Sequence, residues 1–340
     1  MNAQPLAVLR TGMVTSVGMD AESSCAAMRA AIANFTETRF MGEGGEWLIG
    51  AQVEEQQPWR GRTKLVKMLA SAVSECLQGI PKEQWLRIPL LLCVAERERP
   101  GRLDGLEAAL FSELATAMGA QFHAQSVVVP HGRIAAALAL KGARHLVHEQ
   151  GVEQVLIAGA DSYLTWPTLR AYQDKRRLLT PQNSNGFIPG EAAAAALVSR
   201  PQAQGRQLRC WGLGFGVEPA PIESEEPLRA EGLTAAYKAA LADAGVQMHD
   251  LDFRITDIAG EQYSFKEASL ALSRSLRQLK ERFDLWHAAD CIGETGAAAG
   301  VVALGVAKAA GERHYAPGPG AMLHFSHDDG RRAAIVAAYH

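Results

Sequence analysis

Apolar residues along this chain come in two rhythms. Short dense runs (LAVLRTGMV, IPLLLCVAE, SVVV and EQVLIAGAD) carry Val, Leu and Ile with little polar interruption, as strands covered on both faces do. Between them lie Ala-rich stretches whose apolar positions recur at helical spacing: residues near 20 to 33, TKLVKMLASAVSECLQGI, and RIAAALALKGARHLVHEQ, which sits between SVVV and EQVLIAGAD. AAAAALVSR then reads as a buried segment of tiny residues. From about residue 201 the order starts again. LRCWGLGFGV and FRITDIAG read as strands, GLTAAYKAALADAG and YSFKEASLALSRSLRQL as helices, LWHAADCIG leads into the helix AAAGVVALGVAKAAG, and GAMLHFSHDDGRRAAIVAAY closes as a hairpin.

Alternating strands and helices predict an α/β protein. Two similar halves are expected, residues 1–200 and 201–340, each holding a strand that stops at a glycine turn and feeds an Ala-rich helix: SVVVPHGRIAAALAL and HAADCIGETGAAAGVVAL. No low-complexity linker parts them, so they are expected to share one core.

Composition narrows the function classes. With 340 residues, 48% of them hydrophobic, the chain suffices for one large unit or two fused halves. The 34 Lys and Arg are offset by 37 Asp and Glu, and aromatics make up 6%, which argues against a nucleic-acid partner. No apolar run approaches a membrane span and the opening residues lack the pattern of a secretory signal, so no membrane insertion and a cytoplasmic location are expected. Cys25, Cys76, Cys93, Cys210 and Cys291 are scattered without CxxC spacing and are expected as free buried thiols. His145, His148, His287 and His340 show no metal-ligand spacing; neither metal nor cofactor is expected.

Four stretches, in order, resemble the β-ketoacyl synthases of the thiolase fold. LRTGMVTSVGMDAESSCAAMRA is similar to their opening strand, glycine turn and helix, and VEQVLIAGADS to the strand ending Ala-Gly-Gly. LLTPQNSNGFIPGEAAAAALV is similar to the segment ending Asp-Gly-Phe-x-x-Gly-Glu-Gly-Ala, and GETGAAAG matches Gly-His-x-x-Gly-Ala-Ala-Gly at equal length. The resemblance implies a five-layered αβαβα fold, a dimer, and decarboxylative Claisen condensation on acyl thioesters. It also implies a cysteine at a helix N-terminus, where the dipole favours thiolate, two histidines (or His and Asn) to stabilise the enolate, and a lysine near the second histidine.

None of those groups is present. Arg133 falls at the cysteine's place, and residues 126–139 contain no cysteine. Ala259 stands at the first histidine position, Glu294 at the second, and Ala289 at the lysine's. The surrounding glycines and tiny residues remain. Losing a whole cooperating set removes the reaction it performed.

The candidate cluster that replaces the machinery is His131, Arg133, Asp257, Glu261, Glu294 and His327. One reading is an ion-paired plug in which Arg133 meets Glu294, Glu261 or Asp257, because a cation at a helix N-terminus needs a carboxylate to offset the dipole. The other is a new active site, with Glu261 and Glu294 as an acid–base pair assisted by His131 or His327. Cys291, three residues before Glu294, reads as a core thiol rather than a relocated nucleophile. HFSHDDGRRAA stands where the family has Gly-Phe-Gly-Gly-Thr-Asn, either as a lost oxyanion site or as a solvated polar turn. VAERERPGRLDG, with Glu96 and Arg99, is expected to be a solvated face or the edge of a partner surface.

The function expected from these residues is that of a β-ketoacyl-synthase-like protein without condensing activity. It would act as a binding, structural or adaptor component: a chain-length-factor-like partner in a homodimer or heterodimer, or an accessory of type VI secretion. The alternative is an acyl-thioester transferase or hydrolase using Glu261, Glu294 and His131.

Overall fold

The structure is a computed structural model that describes residues 4–54 and 57–340. The elements run β1 (Leu6–Val14), α1 (Ala21–Arg29), β2 (Thr36–Met41), β3 (Trp47–Gly50), α2 (Gly61–Cys76), α3 (Lys82–Trp85) and β4 (Leu90–Cys93). Next come α4 (Leu110–Met118), β5 (Val127–Val129), α5 (Ala135–His148), β6 (Gln154–Ser162), α6 (Trp166–Asp174) and β7 (Glu191–Ser199). Then follow β8 (Leu208–Val217), α7 (Glu231–Ala244), β9 (Phe253–Thr256), α8 (Gln262–Ser275), β10 (Asp284–His287), α9 (Ala289–Ile292), α10 (Ala299–Glu312), β11 (Gly320–Ser326) and β12 (Arg331–Tyr339).

Ten strands form one sheet in the order β10-β9-β11-β12-β8-β1-β7-β6-β4-β5. Outward from its centre, the strands before residue 200 read β1-β7-β6-β4-β5 and those after it β8-β12-β11-β9-β10. In chain order both sets are first, fifth, fourth, second and third, so each strand of one set has a counterpart in the other. The two sets touch only through three pairs at Leu6–Val8 against Leu208–Cys210.

Helices α5 and α10 fill the middle layer, and one core joins them to inward-facing residues of both sets, among them Ile157, Ala194, Leu323 and Ile335. Helices α2 and α4 cover the outer face of the first set, and α7 and α8 that of the second. The result is the five-layered αβαβα arrangement. A helix covered on all sides needs small residues wherever backbones approach, and the Ala- and Gly-rich α10 supplies them: a Cβ on Gly300 would collide with Ala136 of α5. Strand β7, AAAAALV, is buried throughout for the same reason.

The glycines of β8 carry a further packing rule. Gly212, Gly214 and Gly216 share one face, and a Cβ on each would come within 3.0 Å of the carbonyl oxygens of Ala240, Ala236 and Gly232, one turn apart along α7. Gly12 in β1 meets Ala72 of α2 in the same way. Gly214→Ala is expected to lower stability by about 1–3 kcal/mol through overpacking, read as an earlier urea midpoint at unchanged m.

Candidate functional site

Two helix starts carry the centre of the site. β5 ends at Val129, and the chain turns through Gly132, at φ +52°, into a 3₁₀ turn that opens α5. Arg133 projects from this turn. On the other side α9 ends at Gly293, at φ +66°, and Glu294 precedes the 3₁₀ turn that opens α10. The NGFIPGE segment fixes the second arm: the Glu294 amide donates to the Ile188 carbonyl at 2.8 Å, and the Gly190 amide to the Glu294 carbonyl at 2.9 Å. A Cβ on Gly190 would strike the Ile292 carbonyl, so the glycine is what admits Glu294 to the interior.

Arg133 Nη1 donates to Glu294 Oε2 at 3.1 Å, and its Nε lies 3.8 Å from Asp257 Oδ2. A third partner is Asp328, in the turn between β11 and β12, which accepts from Nη2. Of the two readings of this turn, the solvated polar turn is corrected for Asp328, which reaches inward to Arg133 and Arg177. Glu261 is not an Arg133 partner. Arg177 takes it with two bonds, Nε at 2.8 Å and Nη2 at 2.7 Å, and also donates to Asp328 Oδ2 at 2.6 Å. Asp328 therefore bridges two guanidiniums.

A second knot lies behind the first. Arg99 donates to Glu96 at 2.5 and 2.7 Å and to Asp161 at 3.2 Å, with its guanidinium 4.0 Å from the Tyr163 ring centroid. The expected solvated face holds for Arg97 and Glu98, which are exposed, and is corrected for Glu96 and Arg99, each 5% exposed. Asp161, at the end of β6, accepts from the Ala297 amide at 3.0 Å, while Glu294 Oε1 accepts from Gly296 at 2.8 Å. Both carboxylates thus satisfy free amides at the start of α10.

His327 borders the second knot, 3.5 Å from Glu96, and lies 2.9 Å from Asp329. His131 does not join them; its Nδ1 accepts from Arg331 Nη1 at 2.7 Å. Burial and that cation hold the His131 imidazole below its ordinary range. Ala259 packs beside Phe187 in a small apolar cluster and Ala289 begins α9, so neither contributes a polar group.

Three guanidiniums (Arg99, Arg133 and Arg177) face six carboxylates (Glu96, Asp161, Asp257, Glu261, Glu294 and Asp328). The imbalance decides which acids ionise readily. Although burial opposes it, Asp328 stays well below the usual carboxylate range because Arg133 and Arg177 flank it. Burial pushes the Glu294 carboxyl up to about 7, against the pull of Arg133 and with that of Asp257. Burial also raises Asp257 and Asp161. His327 is raised despite its burial, because Asp329 and Glu96 accept from it.

Chemically this arrangement neutralises itself. Five cavities of about 210 to 480 Å³ open elsewhere in the chain, and none of them is lined by Arg133, Asp257, Glu294 or Asp328. One of about 410 Å³ reaches only Arg177 and Glu261. All five cysteines are free and buried; burial holds the thiols of Cys25, Cys76 and Cys210 up at about 12 and also raises Cys93 and Cys291. No cluster of metal-ligating side chains occurs among the described residues, nor any helix long and apolar enough to cross a membrane.

No family model matches the chain, and no curated protein sequence does. Solved structures do. A ketosynthase in complex with its chain length factor from Xenorhabdus doucetiae aligns over 99% of this chain and 98% of that one, with 14% identity and a TM-score of 0.75. The fold is that of the ketosynthases. The ishigamide ketosynthase/chain length factor aligns over 99% of this chain and 100% of that one, at 15% identity and a TM-score of 0.77. The ketosynthase from module 6 of the bacillaene synthase of Bacillus subtilis gives 12% identity, a TM-score of 0.79, and coverage of 99% and 72%. On this ketosynthase fold the helix start that presents Arg133 and the one that presents Glu294 face each other across the middle layer, and the charged side chains close the space between them. Of the residues that complete this closure, Arg177, Glu96 and Arg99 lie outside the motif-matched stretches, whereas Asp161 falls within VEQVLIAGADS, where its role as a partner of Arg99 carried no sequence signal.

Proposed function

We propose that the protein is a non-condensing subunit of ketosynthase fold that works by pairing with a second protein, as a chain-length-factor-like partner. The observation that carries this reading is the Arg133 side chain at the α5 start, held by Glu294, Asp257 and Asp328, with every thiol in the chain buried. A thioester would need a nucleophile and an approach to it, and the Arg133 knot leaves neither. The acid–base alternative is less well supported, since Glu261 is spent on Arg177 and His131 on Arg331.

Pairing has a physical candidate. β5 is one of the two edge strands of the sheet, and Val127 on it is 51% exposed; an apolar edge strand offers unpaired backbone groups to another chain. Incubation with malonyl- and acyl-thioesters is expected to give no CO2 release above buffer and no acyl adduct by mass spectrometry. Light scattering of the chain, alone and mixed with a candidate ketosynthase partner, is expected to show a two-chain species that Val127→Lys weakens. CO2 release or an acyl adduct would overturn the non-condensing reading; a chain monomeric in both samples would overturn the partner role.

A further inference from the structure

Away from the charged centre, a cleft of about 430 Å³ opens between α1, β9, β10 and α10. That volume lies in the range of small-molecule sites. Its floor is apolar, built from Met28, Ile255, Leu285, Trp286 and Val306. Trp286 is wedged between two rings, 4.6 Å from Phe253 and 6.1 Å from Tyr315, the latter stacked at 25°. Such a ladder makes one rigid wall. Cys25 and Cys291 also line the cleft, and with their thiols held protonated they add apolar, polarizable surface rather than charge.

The rim carries one guanidinium, Arg29, and one carboxylate, Asp290, which lies 3.0 Å from His287 Nδ1. The Arg29 guanidinium lies 4.5 Å over the Tyr315 ring and, among the described residues, has no carboxylate within salt-bridge reach. The acids nearby are already engaged: Glu22 pairs with Arg313, Glu312 with Lys308, and Glu75 accepts from the Met13 and Ala21 amides. These three carboxylates line an adjoining cavity of about 470 Å³ that shares Cys25, Arg29 and Tyr315 with the cleft. Arg29 is the one guanidinium lining the cleft, so a negative head group is favoured there, away from Asp290.

We infer that this cleft is a binding site for a carboxylate with an apolar tail, the tail lying against Trp286 and the head group on Arg29. The site is independent of the partner role and of the Arg133 cluster. Decanoate is the probe, and decanol, of equal chain length without the charge, is its control. Titration with decanoate is expected to change the tryptophan fluorescence saturably, and Trp286→Phe to remove the change. Arg29→Gln, at an exposed position, is expected to weaken decanoate by about tenfold, the worth of one charge-assisted contact, and to leave decanol unaltered. Val306→Trp, which fills the cleft, is expected to abolish both. Absence of saturable binding overturns the site. Decanoate binding that Arg29→Gln leaves unchanged overturns the head-group assignment even if the Val306 variant fails to fold.

Discussion

Replacing Arg133 by methionine is expected to cost about 3–5 kcal/mol of stability, the range seen when one partner of a buried ion pair is removed. The reason lies in what stays behind. Asp328 keeps Arg177 at 2.6 Å. Glu294 and Asp257, each under a tenth exposed, lose their contacting cation and retain only neutral donors: the Gly296 amide at 2.8 Å for Glu294, and the Ser326 amide at 3.0 Å and the Thr256 hydroxyl at 3.3 Å for Asp257. Both must then be protonated in the folded state, which draws on folding free energy at neutral pH. Methionine fills much of the arginine's volume, so lost packing is a minor contribution. Urea unfolding at pH 7 reads the loss directly. The companion variant Arg133→Met/Glu294→Gln is expected to recover part of it, because the two residues share one contact and their effects do not add. A loss under about 1 kcal/mol for the single variant would mean that Arg133 is dispensable to this centre.

The methionine variant also probes which parts of this centre the sequence could reveal. The layers of the fold were legible because they rest on local patterns: dense apolar runs for strands covered on both faces, Ala-rich helical spacing for α5 and α10, and a glycine turn before each. Arg133 and Glu294 were legible for the same reason, since each opens a helix after a recognisable strand. Short elements with mixed polarity were not, among them the hairpin β2–β3 and helices α4 and α6. Nor did the pattern assign Glu261 correctly. Its partner Arg177 follows α6 at a separation of 84 residues, and it stands directly after Arg176, which takes φ +53°, a conformation that no propensity predicts for arginine. Charge pairing across such distances depends on where strands end in space. Glu96 and Arg99 show the cost of reading charge locally: ERERP looks solvated in one dimension, yet the end of β4 lies against Asp161 at the end of β6, its neighbour in the sheet.

Glu294→Gln is expected to change how stability depends on pH. Burial lifts the Glu294 carboxyl from its ordinary 4.5 to about 7. A carboxyl with a folded pKa above its unfolded one binds its proton more tightly in the folded state. Its contribution is therefore fully favourable below about 4.5 and is lost as pH rises through about 7. At one pKa unit per 1.36 kcal/mol, the wild-type protein should lose about 2 kcal/mol from this group between pH 5.5 and pH 8.5. Glutamine does not titrate, so the stability gap between the two proteins should move by that amount in the variant's favour over the same interval. Asp257 works in the same direction: its carboxyl is raised by burial, and Coulomb repulsion between it and Glu294 disappears when the neighbour is neutral. Asp328 and Glu96, both held far below the usual range by arginines, titrate outside the interval and cancel in the comparison. Loss of the Arg133 contact shifts the gap by a constant and leaves its slope untouched. Paired urea titrations at the two pH values measure the slope; a gap constant to within about 0.5 kcal/mol would place Glu294 as a permanently ionised partner of Arg133, whose two oxygens accept from Arg133 and Gly296 at every pH in the interval.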